Sequence, residues 1–223
     1  EIELAFRFSP SELIAVTGSN GKTTVTTLIR DVLRAAGKNA ISCGNIGNSF
    51  ISEVERLTAE TMTVVEVSSF QLSHIEQFKP KVAVLLNLSP NHLDWHSSFD
   101  DYAETKSRIF QNQSETDYSV LNSADPQCLK QSEQLKSQVV LFDGQNHSNP
   151  NFAAIEQIAK IYQINPKVVD SVLANFTGLE HRFEDAGAVH GVRYINDSKS
   201  TTIASLSWAL ERVTSKTILI FIN

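Results

Sequence analysis

Thr17-Gly-Ser-Asn-Gly-Lys-Thr-Thr24 sets two glycines, a lysine and three hydroxyl residues directly behind the apolar run Leu13–Thr17 and ahead of a helical pattern. Those residue types in that order suit a polyphosphate. Gly18 and Gly21 let backbone N–H groups close around phosphate oxygens, Lys22 supplies a point charge for the outer phosphates, and Thr23 offers a hydroxyl to Mg²⁺. Gly18, Ser19, Asn20, Gly21, Lys22, Thr23 and Thr24 are therefore the candidate binders of a nucleoside triphosphate. Val16 stands where the general pattern has its first glycine. A plain turn with a chance lysine is the bland alternative, and the flanks argue against it. Val25, Leu28, Ile29, Val32 and Leu33 follow at helical spacing, with Gly37 as a C-cap.

Further chemistry is expected at the carboxyl ends of strands, where ligands gather in open α/β sheets. Glu66 lies late in the apolar run Thr63–Val67, and an unpaired buried carboxylate is costly unless a cation or a metal compensates it. A salt-bridged structural glutamate is the alternative. After Val82–Leu88 comes Ser89-Pro-Asn-His-Leu-Asp-Trp-His96. His92 and His96 have the spacing of a zinc pair, but no third ligand follows at a recognisable interval, so His92 reads better as a ligand of Mg²⁺ or of substrate oxygens, or as a structural histidine. Lys106 falls inside the apolar stripe Phe99, Tyr102, Ala103, Ile109 and Phe110. Most lysines on such a face snorkel to water. One held in apolar surroundings has a lowered pKa, and its neutral amine can take up CO₂ as a carbamate, an anionic metal ligand.

Strand-like and helix-like runs alternate along the chain, which predicts a mostly parallel sheet flanked by helices. The strand candidates are Leu13–Thr17, Ala40–Cys43, Thr63–Val67, Val82–Leu88, Tyr118–Leu121 and Val139–Phe142. The helix candidates are Thr23–Ala36, Phe50–Leu57, Phe99–Asn112, Phe152–Tyr162 and Pro166–Ala174. A boundary is expected near Thr177, dividing a nucleoside-triphosphate-binding domain, residues 1–177, from the start of a different domain, residues 178–223. In that second piece, Val192–Ile195, Thr202–Arg212 and Thr217–Ile222 read as strand, helix and strand, the beginning of a Rossmann-like α/β domain. About 45 residues bury little core alone, so a piece of a longer protein is expected.

The 223 residues are 41% hydrophobic and 20% charged, as in ordinary globular proteins. A formal charge of −6 gives no electrostatic reason to expect a nucleic acid or an anionic membrane as partner. No apolar run approaches the ~18 residues of a membrane span, and residues 1–10 do not read as a signal peptide. Cys43 and Cys128 are far apart and read as reduced thiols of a cytoplasmic protein. A monomer is expected.

Seven motifs in order resemble the Mur ligases of peptidoglycan synthesis: Thr17–Thr24, Gly44-Asn-Ile-Gly47, Glu66-Val-Ser-Ser-Phe-Gln-Leu72, Asn91-His-Leu-Asp94, Lys106-Ser-Arg-Ile109, His181-Arg-Phe-Glu184 and Asn196-Asp-Ser-Lys199. Ser-Asn in the phosphate loop and Ser-Ser-Phe-Gln-Leu after the glutamate resemble the branch that adds D-glutamate to UDP-N-acetylmuramoyl-L-alanine. The resemblance implies three domains, with the central ATPase domain and the start of the C-terminal one here. It implies transfer of the γ-phosphoryl of ATP to the acceptor carboxylate, then attack of the amine on the acyl phosphate. Lys22 would stabilise the transferring phosphoryl, Thr23 and Glu66 would hold one Mg²⁺, and His92 with carbamylated Lys106 a second. Asn45 and Asn151 resemble nucleotide-side contacts, and Arg182, Asp197 and Lys199 would reach ATP from the next domain.

The chain departs from the family pattern at His147-Ser148, where His-Asn is usual, at Ser200-Thr-Thr202, where Ala-Thr-Asn is usual, and in a short interval between Lys106 and Asn151. Two other functional classes fit parts of the sequence. A nucleotide-dependent switch or motor also uses a phosphate loop but need not carry His92 and Lys106. A degenerate scaffold would not be expected to retain Lys22, Thr23, Glu66, His92 and Lys106 together.

Overall fold

Apolar residues fill both alternating positions of the runs 13–16, 64–65 and 82–85, so neither face of those strands is suited to water. In the computed structural model, which describes residues 1–147, 149–200 and 203–221, these runs form the interior of a six-stranded sheet. The chain divides into two compact units, Glu1–Phe176 and Thr177–Asn223.

The first unit holds strands β1 (Glu12–Thr17), β2 (Ala40–Gly44), β3 (Met62–Glu66), β4 (Val82–Leu85), β5 (Tyr118–Asn122) and β6 (Gln138–Phe142) in the order β2-β3-β1-β4-β5-β6. Every neighbouring pair is parallel. Its helices are α1 (Ile2–Phe8), α2 (Lys22–Ala35), α3 (Phe50–Glu53), α4 (Ser69–Leu72), α5 (Phe99–Ser107), α6 (Pro126–Gln131), α7 (Phe152–Ile161) and α8 (Pro166–Ala174). Strand periodicity splits the core in two. Ile14, Val16, Val64, Val82 and Val84 face a layer made by α2, α7 and α8. Leu13, Ala15, Val65, Ala83 and Leu85 face Phe50, Leu72, Tyr102 and Ile109 on the other side. The connection after β1 leads to β2 and that after β4 leads to β5, in opposite directions. Their carboxyl ends therefore flank the crevice where open α/β sheets bind ligands.

Several elements are shorter than expected, each for a local reason. β4 stops at Leu85 because Leu86 donates the last bond, to the carbonyl of Thr17 at 3.1 Å, and Asn87 then turns toward the phosphate loop. The segment Phe50–Leu57 is α3 followed by a 3₁₀ turn, Val54–Arg56. The segment Phe99–Asn112 is α5 followed by a 3₁₀ turn, Arg108–Phe110, where the Arg108 guanidinium donates to the carbonyls of Ser73 and Ile75. α1, α4 and α6 are short helices with too few turns to show a clear apolar period.

The second unit contains an antiparallel hairpin, β7 (Glu184–Val189) with β8 (Val192–Asn196), and helix α9 (Ile203–Leu210). β7 escaped the sequence reading because Glu184-Asp-Ala-Gly-Ala lacks an alternating apolar pattern. Residues 217–221 of the expected strand Thr217–Ile222 carry no ladder bonds, and Ile222 lies outside the described residues, as do Ser148, Thr201 and Thr202. Among the described residues no helix is long and apolar enough to cross a membrane. Cys43 and Cys128 are buried thiols, and burial pushes the Cys43 thiol up to about 12.

Candidate nucleotide and metal site

β1 delivers the chain into the loop Gly18–Gly21, and Gly21, at φ 81°, caps the start of α2. The left-handed backbone favours glycine there, and a Cβ would lie 2.4 Å from Nδ2 of Asn151, whose side chain would have to swing aside. Lys22 folds its ammonium onto the carbonyls of Gly18 and Ser19 at 3.0 and 3.1 Å. Thr23 and Thr24 follow in the first turn of α2.

Asn87, just beyond β4, holds this loop. Its backbone carbonyl accepts from Ser19 N at 3.0 Å, its Oδ1 accepts from Asn20 N at 2.8 Å, and its Nδ2 donates to Asn20 O at 3.0 Å. The Ser19 hydroxyl lies 3.0 Å from the carbonyl of Ser89 and 3.0 Å from the hydroxyl of Tyr102 on α5. Neither Asn87 nor the Tyr102 hydroxyl was singled out from sequence. The signal for Asn87 is a polar residue interrupting the apolar run 82–88, and the helical stripe shows only the apolar ring of Tyr102.

Glu66 ends β3, paired in register with Val16 on β1 and Gly44 on β2, and is 2% exposed. Asn45 donates its backbone N–H to the Glu66 carbonyl at 2.9 Å and its side-chain amide to Oε1 at 3.0 Å. Oε2 is buried and has no hydrogen-bond partner among the described residues. A buried carboxylate oxygen left this way carries a desolvation cost that a bound cation would offset. The structure sets Asn45 on the glutamate, and Asn151 against Gly21 of the loop.

Lys106 is 2% exposed on α5, with its Nζ 3.3 Å from Oγ1 of Thr17 and 4.9 Å from the Tyr102 ring centroid. It does not snorkel. Burial first, then the charge of Lys22, push its ammonium well below the ordinary lysine range, against the opposing pull of Glu66. His92 lies in the exposed loop after β4, at φ 53°, edge-on to Phe70 with ring centroids 4.9 Å apart. Partial burial, then the Lys106 charge, lower its imidazole pKa. Among the described residues there is no group of three or more His, Cys, Asp and Glu that could hold a metal. Of the four candidate ligands, Thr23 and Lys106 are not of those types, and only a carbamate would give Lys106 a donor oxygen.

Arg182, Asp197 and Lys199 belong to the second unit. There Asp197 Oδ1 accepts from Phe183 N at 3.0 Å, and Lys199 N donates to the carbonyl of His181 at 3.2 Å, so the backbone on either side of Arg182 is tied to the Asp197–Lys199 turn.

The family described as Mur ligase middle domain matches residues 16–176. A UDP-N-acetylmuramoylalanine--D-glutamate ligase of Koribacter versatilis is 37% identical over 246 residues, covering 95% of this chain and 54% of that protein. The protein of the same description from Pelotomaculum thermopropionicum is 38% identical over 255 residues, covering 99% of this chain and 56% of its own. The chain thus spans about half the length of the curated relatives it matches. Among solved structures, MurF ligase from Thermotoga maritima in complex with ADP matches with a TM-score of 0.78 at 19% identity, covering 96% of this chain and 60% of that one. E. coli FolC in complex with DHPP and ADP matches with a TM-score of 0.66 at 14% identity, covering 88% and 64%. Both share the fold.

Proposed function

The chain belongs to the Mur ligase family, and from that premise we propose that it is the nucleotide-binding portion of an ATP-dependent ligase joining D-glutamate to UDP-N-acetylmuramoyl-L-alanine. The observation that carries the reading is the buried Glu66 carboxylate, oriented by Asn45 through one oxygen and unpartnered at the other, at the mouth of a glycine-rich phosphate loop. That donor set fits a hard divalent cation with oxygen ligands.

In this reading the loop N–H groups and Lys22 bind the triphosphate. Lys22 leaves the carbonyls of Gly18 and Ser19 to meet the γ-phosphate, where it offsets charge developing on the phosphoryl oxygens. Thr23 and Glu66 would hold one Mg²⁺, and His92 with the carbamate of Lys106 another. When bound, such ions neutralise phosphate charge and polarise the phosphoryl oxygens. Burial favours the neutral form of the Lys106 amine, whose lone pair can attack CO₂; the nitrogen then loses a proton and an N-carboxylate is left. The substrate carboxylate attacks the γ-phosphorus and ADP leaves. The neutral amine of D-glutamate then attacks the acyl carbon, phosphate departs and the nitrogen loses one proton, leaving the amide N–H. Activation is needed because a carboxylate is a poor electrophile. Asn151, which lies against Gly21, would contact the nucleotide, and Arg182, Asp197 and Lys199 are proposed as further ATP contacts.

The test uses a protein of the relatives' full length carrying this sequence. ADP release should require UDP-N-acetylmuramoyl-L-alanine, and amide formation should require D-glutamate over other amino acids. Preference for a different amino acid would move the assignment to another ligase of the family. Nucleotide hydrolysis indifferent to both substrates would favour a switch module.

A further inference from the structure

His96 lies four residues beyond His92, and its own ring is 4% exposed. Its Nε2 is 3.0 Å from Oγ of Ser69, the residue that opens α4 just beyond Glu66, and its Nδ1 is 3.7 Å from Oδ2 of Asp101 on α5. The ring stacks on Phe70 at 6.2 Å and stands edge-on to Tyr102 at 5.2 Å. Tyr102 in turn reaches Ser19 of the phosphate loop, and Lys106 lies one helical turn further along α5. The backbone N–H of His96 donates to the carbonyl of His92 at 2.9 Å, and that of Trp95 does so at 3.0 Å. These bonds close the turn that keeps His92 at φ 53°, an uncommon conformation for an L-residue.

Ser69, His96 and Asp101 are the residue types of a nucleophilic triad, but Ser69 is 2% exposed and its hydroxyl is held against the imidazole inside the protein. The arrangement is a brace. With the ring proton on Nδ1, toward the Asp101 carboxylate, Nε2 accepts from the Ser69 hydroxyl.

We propose that His96 is a positioning residue for His92: its ring ties the His92 loop to the Glu66 segment through the Ser69 hydroxyl and to the Lys106 helix through its edge-on contact with Tyr102. One side chain thus fixes the spacing of the segments that carry Glu66, His92 and Lys106. The inference rests on the proposed metal role of His92.

Its test measures Mn²⁺ affinity by water-proton relaxation, in the presence of ADP, for the whole chain and for His92→Ala, His96→Phe and the double variant. His96→Phe keeps an aromatic ring for Phe70 and Tyr102 and removes both nitrogens. It should weaken Mn²⁺ binding about tenfold or more, the usual effect of losing an outer-shell partner, and the double variant should be no weaker than His92→Ala. Ser69→Ala, which leaves the ring in place, should shift the affinity in the same direction by a few-fold, and amide exchange at His96 should accelerate in it. Wild-type affinity in His96→Phe, or losses that multiply in the double variant, would overturn the inference while leaving the metal site standing. Wild-type affinity in His92→Ala would overturn both.

Discussion

Nζ of Lys106 lies 3.3 Å from Oγ1 of Thr17, whose own proton goes to the carbonyl of Val67 at 2.8 Å. An ionisable amine is thereby buried at the root of the phosphate loop, with a hydroxyl and the face of Tyr102 around it instead of a paired carboxylate. The sign of its effect on stability follows. The folded pKa is below the unfolded one, so between the two the unfolded chain holds a proton that the folded chain lacks. Stability must therefore rise with pH across that window, by up to ~1.4 kcal/mol per pH unit from this one group. The penalty is fully developed below the folded pKa and is gone above the unfolded value, 10.5. Lys106→Met removes it, so denaturant unfolding from pH 7 to 10 should show a flatter stability profile and a higher midpoint at neutral pH. Identical slopes in the two proteins would mean that Lys106 is not desolvated.

Gly44→Ala should be far more damaging than Gly37→Ala. Both glycines have positive φ, 102° and 79°. At Gly37 a Cβ meets nothing within 4 Å, whereas at Gly44 it would lie 2.4 Å from the backbone oxygen of Glu66, which cannot swing aside. Gly37→Ala is expected to cost about 1–2 kcal/mol, the left-handed penalty alone. Gly44→Ala should cost clearly more and should displace Glu66. Urea midpoints compare them directly, and equal costs would argue against the close approach of β2 to the Glu66 backbone.

Asn87→Ala should loosen the phosphate loop. Two side-chain hydrogen bonds to the Asn20 backbone disappear, each worth about 0.5–1.5 kcal/mol net. Backbone amide exchange at Asn20 should accelerate, and nucleotide should bind roughly tenfold or more weakly, because the loop must be ordered on binding. Unchanged exchange at Asn20 would contradict the clamp.

Glu66→Gln should behave oppositely with and without metal. In EDTA a neutral amide replaces a buried carboxylate whose Oε2 is unpartnered, so the variant should melt higher than wild type. With millimolar Mg²⁺ and ADP the wild type should gain stability by mass action and the variant should gain much less. Thermal melts in the two buffers read both effects, and equal gains would remove Glu66 from the metal site.

The six parallel strands and the long helices were legible because each carries its own period. β1, β3 and β4 are continuous apolar runs, and α2 repeats apolar residues every three to four positions. The buried Lys106 was legible for the same reason, as a charge standing in phase with an apolar stripe. What stayed hidden was set by tertiary partners. Asn87, Tyr102 and Ser19 meet only when β1, β4 and α5 pack, and a His-x-x-x-His spacing cannot say that one ring faces Ser69 inside the protein while the other sits at the surface. Hairpin strand β7 is exposed along most of its length, so burial wrote no pattern into it.

Calorimetric titration of Mg·ATP into the folded chain, beside Lys22→Ala with an unchanged melting temperature, tests the phosphate cradle most directly. The expected result is saturable binding in the wild type and an affinity lowered at least tenfold in the variant. Absence of binding heat at millimolar nucleotide, or equal affinities in the two proteins, would contradict a nucleotide site at Gly18–Thr24.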